Sequence, residues 1–120
     1  MSSNSIILIL PFPPSVNALW RGAGKRVYRS KKYMDWIKVA QPMAIEQANG
    51  GKVSGPYDLS IWLHPSDKRK RDIDNLIKAP SDLLEDIGVI ENDSLCRRLL
   101  VEYVEFGPSC LIEVTGREGP

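Results

Sequence analysis

This chain has few histidines and cysteines, the residues that hold zinc ions and form disulfides. It has one histidine, His64, and two cysteines, Cys96 and Cys110, which stand far apart in the sequence. Two separated cysteines do not make the framework of a disulfide-rich domain, and there is no Cys-x-x-Cys pair. Without a cluster of histidines or cysteines, the sequence also argues against a zinc site.

Long apolar runs are missing as well. No run approaches the ~20 residues that a membrane helix needs. The first residues lack the basic region and the small-residue cleavage site of a signal peptide. An apolar fraction of 42% and a charged fraction of 26% are typical of a globular protein. We therefore expect a single domain over residues 1–120 that works in the cytoplasm and has no membrane partner.

The charges are unevenly distributed along the chain. The net charge is only +1, yet residues 1–50 carry seven Lys or Arg against two Asp or Glu, and residues 51–120 carry nine against thirteen. A basic region together with a local acidic cluster suits an enzyme that handles phosphates. A passive DNA coat would be basic throughout.

The apolar patterns predict an α+β domain with the order β-α-β-α-β-β, in which two helices pack on one mixed sheet. Four segments have the pattern of strands: residues 6–10, 57–64, 95–106 and 109–115. The first is continuously apolar, which predicts a strand buried on both faces. The last two flank a Gly107-Pro108 turn, which predicts a hairpin. A further hairpin is expected around Gly22 and Gly24.

Two segments, residues 31–48 and 72–86, have the apolar spacing of amphipathic helices. Ser30 is the expected N-cap of the first helix, and Asn49-Gly50-Gly51 is its expected end. A proline lies inside each pattern, where it removes a backbone hydrogen bond. We expect a kink or a break at Pro42. At Pro80 we expect either a kink or a first turn that is partly independent.

A block of four cations runs directly into two carboxylates. The cations are Lys68, Arg69, Lys70 and Arg71, and the carboxylates are Asp72 and Asp74. Cations of this kind bind a polyanion, and the acids can hold a divalent cation against one of its phosphates. Because residues two apart do not share a helix face, the two acids can reach one ion only if a helix begins between them. Oxygen ligands favour Mg²⁺ or Mn²⁺.

Plainer interpretations of these residues stay open. The helix dipole alone favours acids at a helix N-terminus by ~0.3–1 kcal/mol. Short charge runs are usually solvated loops. Lys78 is four residues from both Asp74 and Asp82, so its role is either that of a surface ion-pair partner or that of a stabiliser of charge on a phosphate. His64 ends a strand, a position where histidine is more often structural.

A second basic cluster supports binding of a nucleic acid. Trp20 and Tyr28 are interleaved there with six cations: Arg21, Lys25, Arg26, Arg29, Lys31 and Lys32. Aromatic rings among cations can stack on exposed bases. The alternative is that the rings anchor the loop on the domain, and we favour this for Trp20.

The stretch from Asp67 to Lys78, which reads Asp-Lys-Arg-Lys-Arg-Asp-Ile-Asp-Asn-Leu-Ile-Lys, resembles the defining segment of the RusA family of Holliday junction resolvases. Asp93, after Gly88-Val89-Ile90, is similar to a further carboxylate of that family. The proline-rich residues 11–17 resemble the start of its members. Two positions depart from the family pattern: Asn92 stands where relatives often carry an acid, and Pro80 is unexpected within the helix.

The resemblance implies a homodimeric endonuclease that makes paired nicks across a four-way DNA junction. Its cofactor would be Mg²⁺, with Mn²⁺ as a substitute and no organic cofactor, and it would occur in bacteria or phages. The implied site residues are the metal ligands Asp72, Asp74 and Asp93 and the catalytic Lys78. Two alternatives remain open, namely a nuclease that acts on flaps or forks and a DNA-binding module without catalysis.

Overall fold

A computed structural model describes residues 5–15, 20–23 and 26–117, with side chains described in 5–15 and 30–117. These residues form six strands and two α-helices: β1 (Ser5–Leu10), β2 (Trp20–Ala23), β3 (Arg26–Arg29), α1 (Lys31–Ala48), β4 (Tyr57–Leu63), α2 (Lys78–Asp86), β5 (Cys96–Tyr103) and β6 (Cys110–Gly116). Short 3₁₀ helices occupy Ile73–Leu76 and Asp93–Leu95. Within the described residues, none of the helices has the length and apolar character needed to cross a membrane.

The main sheet has four strands in the order β1-β6-β4-β5. β4 and β5 are parallel, whereas β6 is antiparallel to both β1 and β4. The predicted α+β fold with a mixed sheet and two helices is therefore confirmed. β2 and β3 form a separate antiparallel pair, which confirms the hairpin expected around Gly22 and Gly24.

One face of the sheet forms the core with both helices. β4 buries Leu59, Ile61 and Leu63 on this face, and the buried side chains of α1 and α2 pack in the same cluster. The opposite face is uncovered, so that Ile7 and Ile9 of β1 are 57% and 46% exposed. The prediction that β1 is buried on both faces is therefore wrong, because no element within the described part of the chain covers its outer side.

The predicted hairpin of the last two strands is also wrong. β4 lies between β5 and β6 and pairs with both along its whole length. This arrangement places the most regularly alternating strand at the centre, where its apolar row is fully buried. The β5–β6 connection passes over the end of β4, where Val104 N–H donates to Leu63 O and His64 N–H donates to Ser109 O. His64 has a structural contact as well, since its Nδ1 lies 3.0 Å from Val104 O.

α1 begins and ends at the predicted residues. Ser30 Oγ accepts the Tyr33 N–H at 3.2 Å, and Asn49 closes the helix in the left-handed conformation with φ 49°. The helix continues through Pro42 without a break. Burial of Trp36 and Ala44 on either side of Pro42 offsets the one hydrogen bond that the proline removes.

The segment predicted as one helix over residues 72–86 is divided in two. The 3₁₀ helix Ile73–Leu76 is followed by α2, which begins at Lys78. Pro80 is the third residue of α2, where a backbone N–H has no partner within the helix in any case. Of the two alternatives at Pro80, the independent first turn is the one that the structure adopts.

Replacement of Ser30 by Ala should destabilise the protein by about 0.5–2 kcal/mol, because the Tyr33 N–H loses its acceptor in a buried place. Urea unfolding followed by circular dichroism measures the change. Ser54→Ala is the control, since Ser54 is exposed and should change stability by less than about 0.5 kcal/mol. Equal stability of Ser30→Ala and the wild type would contradict this account of the cap.

Candidate active site

The connection between α1 and β4 brings the Asp93 turn back towards the middle of the chain. Val53 N–H donates to Val89 O at 2.8 Å, and Val53 forms a parallel bridge with Ile90. Gly55 N–H donates to Glu91 Oε1 at 2.6 Å. β4 then pairs in parallel with β5, the strand that follows the Asp93 turn. These contacts fix the turn before β5 against the start of β4.

Helix α2 holds the Asp93 turn from its other side. Asp93 N–H donates to Glu85 Oε1 at 2.9 Å. Within the turn, Asn92 Oδ1 accepts the Ser94 N–H at 2.8 Å. Asn92 thus caps the short helix that begins at Asp93. The amide at this position therefore has a structural use, although the family pattern predicts an acid.

Asp74, Lys78 and Asp93 line one open pocket of about 340 Å³. Lys78 Nζ lies 3.8 Å from Asp93 Oδ2 and 3.0 Å from Asp82 Oδ1. The ion pair with Asp82 is the i,i+4 contact expected from the sequence. The contact between Lys78 and Asp93 joins residues 15 positions apart in the sequence. A role of Lys78 as a surface ion-pair partner on its own helix does not predict this contact. Tyr57, Leu59, Ile77, Ser81, Cys96 and Leu99 complete the lining.

Lys78 and Tyr57, which both line this pocket, each have a pKa above the usual value. The hydrogen bond with Asp82, followed by the charges of Asp82, Asp93 and Glu85, raises the pKa of Lys78 above its usual value. Lys78 is therefore a cation at neutral pH. Burial, with the nearby negative groups adding to it, raises the pKa of Tyr57 to about 12, so its hydroxyl keeps its proton.

Asp72 and Asp74 lie on either side of a helix start, as the sequence predicts. Asp72 is extended, with φ −89° and ψ 117°, and the 3₁₀ helix begins at the next residue. The Asp72 side chain makes no capping hydrogen bond to that helix; its Oδ2 lies 3.5 Å from Asn75 Nδ2. Asp72 is exposed and is not part of the lining of the pocket that holds Asp74 and Asp93.

The pocket contributes two carboxylates as donors for a metal ion. Among the residues with described side chains, no group of three or more His, Cys, Asp or Glu lies close enough to hold a metal ion. Mg²⁺ commonly binds through one or two carboxylates, with waters and substrate phosphates as its other ligands. Asp74 and Asp93 fit such a shared site, and the three-carboxylate set with Asp72 stays a prediction.

A second pocket, of about 270 Å³, joins the two basic clusters of the sequence. Its lining includes Lys32 from the start of α1 together with Arg69, Lys70 and Arg71 from the loop after β4. Phe12, Pro13, Pro14, Ser15 and Leu76 form the rest. Cations distant in sequence therefore converge on one surface, which is the arrangement that binds a phosphate backbone.

Arg71 differs from its neighbours in the basic loop, because its side chain is only 16% exposed. Its Nη2 donates to Asp67 Oδ1 at 2.7 Å, and its guanidinium lies 5.1 Å from the centre of the Phe12 ring. The hydrogen bond from the Arg69 N–H, followed by the one from Arg71, lowers the pKa of Asp67. Arg71 thus fastens the loop, whereas Lys68, Arg69 and Lys70 are exposed.

The remaining predicted DNA contacts are only partly described. Lys31 is exposed and pairs with Asp35 at 2.9 Å. Arg21, Arg26 and Arg29 lie on the β2–β3 hairpin, but their side chains are outside the described residues, as is Lys25. Their assignment to DNA binding stays a prediction.

Tyr57 and Glu85 belong to the site although the sequence did not single them out. Tyr57 belongs to the apolar alternation of β4, a pattern that by itself predicts a core residue. Glu85 lies on the polar side of α2, and its contact is with a backbone N–H eight residues later. Sequence carries no signal for a bond of that kind.

Carboxylates and a lysine beside a basic surface are the groups that a phosphodiester-cleaving enzyme uses. The arrangement is therefore that of a nuclease. The family model for endodeoxyribonuclease RusA matches residues 11–115, which include both pockets. The chain belongs to the RusA family of endodeoxyribonucleases.

Two relatives agree with this membership. The chain is 36% identical over 86 residues to the crossover junction endodeoxyribonuclease RusA of Aquifex aeolicus (strain VF5), a match that covers 72% of this chain and 68% of that protein. It is 30% identical over 90 residues to the crossover junction endodeoxyribonuclease of Enterobacteria phage HK97, with 75% of each chain covered. The resemblance of the Asp67–Lys78 segment to this family is therefore confirmed.

Replacement of Glu85 by Ala should loosen the Asp93 turn, because the Asp93 N–H loses its acceptor. We expect faster hydrogen exchange at the Asp93 amide and a loss of roughly 0.5–1.5 kcal/mol of stability. Both are measurable by NMR and by urea unfolding. Glu85→Gln is the matched control, since its amide oxygen still accepts the bond. Equal exchange rates in the two variants would rule out this role of Glu85.

Proposed function

We propose that this chain is a structure-specific endodeoxyribonuclease that resolves four-way DNA junctions by paired hydrolysis of phosphodiester bonds, and that Mg²⁺ is its cofactor. The names of the two relatives, both crossover junction endodeoxyribonucleases, support the substrate and the reaction. DNA recombination is the process in which such junctions arise. The proposed substrate therefore implies work in the cytoplasm of a bacterial or phage-infected cell.

The convergence of Asp93 on Lys78 is the observation that carries this proposal. The two side chains come from different elements and meet at 3.8 Å in a pocket that Asp74 also lines. A helix cap or a solvated loop requires no such convergence. The acids and the lysine would act at one phosphate.

Each group in the site has a role in the proposed reaction. Asp74 and Asp93 would hold the cation from the pocket that they share, and Asp72 is the third ligand that the family resemblance implies. When bound, the cation neutralises charge on the phosphate and makes a nearby water more acidic. Lys78, a cation at neutral pH, stabilises the negative charge that develops on the phosphate oxygens. Asp82 orients the Lys78 ammonium through its 3.0 Å contact.

A homodimer is the form in which we propose that the chain acts. A four-way junction has approximate two-fold symmetry, and a pair of identical subunits presents two sites related by the same operation. The basic surface around Lys32 and Lys70 would hold an arm of the junction next to each site.

Replacement of Asp72, Asp74 or Asp93 by Asn should reduce cleavage of a four-way junction on the order of a thousandfold or more, because the cation loses a charged ligand. Binding of the uncut junction should persist or tighten, since a negative charge near phosphate is removed. Glu46→Gln removes the same charge from an exposed position on α1 and is the control. Wild-type cleavage by Asp74→Asn or Asp93→Asn would disprove the assignment.

Replacement of Lys70 by Ala should weaken junction binding and reduce the slope of log affinity against log salt concentration by about 0.9, the loss expected for one phosphate contact. Fluorescence anisotropy at several salt concentrations measures the slope. Lys52→Ala is the matched control. Lys52 is exposed as well, but it is not part of the lining of the basic pocket. Equal slopes for both variants would contradict the proposed DNA surface.

A further inference from the structure

Tyr57 has an unusual hydroxyl group for a core residue. The side chain is fully buried, with 0% exposure. Its hydroxyl oxygen is buried too and has no hydrogen-bond partner among the described residues. A buried hydroxyl without a partner is costly, and phenylalanine would fill the same space without that cost. The tyrosine therefore needs an explanation that packing alone does not supply.

The position of Tyr57 supplies one, because the residue lines the pocket of Asp74, Lys78 and Asp93. It is paired in register with Cys96, three residues after Asp93. The negative charges of Asp93 and Glu85 both act on its hydroxyl. Tyr57, whose hydroxyl has no described partner, thus shares the wall of one pocket with Asp74 and Asp93.

Asp93 has acceptor capacity to spare for such a donor. Its backbone is fixed by the bond to Glu85, whereas its half-exposed carboxylate is described in one ion pair, the 3.8 Å contact with Lys78. A carboxylate offers about four lone-pair sites. Carboxylates that bind a metal are usually held by hydrogen bonds from neighbouring groups as well.

We infer that Tyr57 is a positioning residue of this site: when a divalent cation is bound, its hydroxyl, which has no partner within the described part of the chain, donates a hydrogen bond to the carboxylate of Asp93 and so orients that carboxylate towards the cation. The inference rests on the function proposed above. A neutral hydroxyl suits this task because it orients the carboxylate without adding a positive charge that would repel the cation. Lys78 is then free to face the phosphate.

Replacement of Tyr57 by Phe removes one oxygen atom and tests the inference. The melting temperature should stay the same or rise, because no hydrogen bond of the fold is lost. Affinity for Mn²⁺, titrated into the protein without DNA and followed by electron paramagnetic resonance of the free ion, should fall roughly 10–100-fold. Single-turnover cleavage of a four-way junction at limiting Mn²⁺ should fall by a similar factor and recover in part at high Mn²⁺.

Tyr33→Phe is the matched control. Tyr33 is a buried core tyrosine of α1 that is not part of the pocket lining, so its variant should keep wild-type Mn²⁺ affinity and cleavage. Wild-type affinity and cleavage in Tyr57→Phe would overturn the inference and leave the proposed function intact. A lower melting temperature together with both losses would also overturn it, in favour of a structural role. Failure of the wild-type chain to cleave any junction would instead refute the proposed function.

Discussion

The parallel pairing of β4 with β5 is the constraint on which the site depends. Parallel neighbours need a crossover connection, and here the crossover carries the basic loop, the 3₁₀ helix and α2. The crossover returns the chain to the start of β4, so Asp93 arrives beside the helix that carries Lys78. Backbone bonds from Val53 and Gly55 and the Glu85 carboxylate fix the turn there. Two carboxylates from separate segments thereby share one pocket.

The crossover connection contributes to two surfaces of different charge, one basic and one acidic. Exposed cations gather around Lys70 at one place, where Arg71 and Asp67 hold the loop against Phe12. The acids gather around Lys78 at the other, where they raise the pKa of its ammonium and keep it charged. The first surface suits a phosphate backbone, and the second suits a cation and the phosphate that it contacts. Asp72 lies in the chain between them.

Local patterns predicted much of this fold, and long-range pairing accounts for the errors. Ser30, Asn49 and the alternation of β4 correctly located a helix and a strand, because caps and periodicity act over a few residues. The prediction that β5 and β6 form a hairpin was wrong, because β4 lies between them. This order buries the apolar row of β4, and the sequence of β5 and β6 alone does not show it. The sequence placed Asp74 and Lys78 at a helix start, but the bond from the Asp93 amide to Glu85 and the orphan hydroxyl of Tyr57 exist only in the folded chain.

Cleavage of defined DNA substrates by the wild-type chain is the decisive test of junction resolution by this protein. A synthetic four-way junction, a three-way junction, a flap and a linear duplex would be incubated at equal concentration, with Mg²⁺ and then with EDTA. We expect paired nicks in the four-way junction with Mg²⁺, none with EDTA and little cutting of the other substrates. Equal or better cutting of the flap or the duplex, or no cutting of the junction with Mg²⁺, would contradict this expectation.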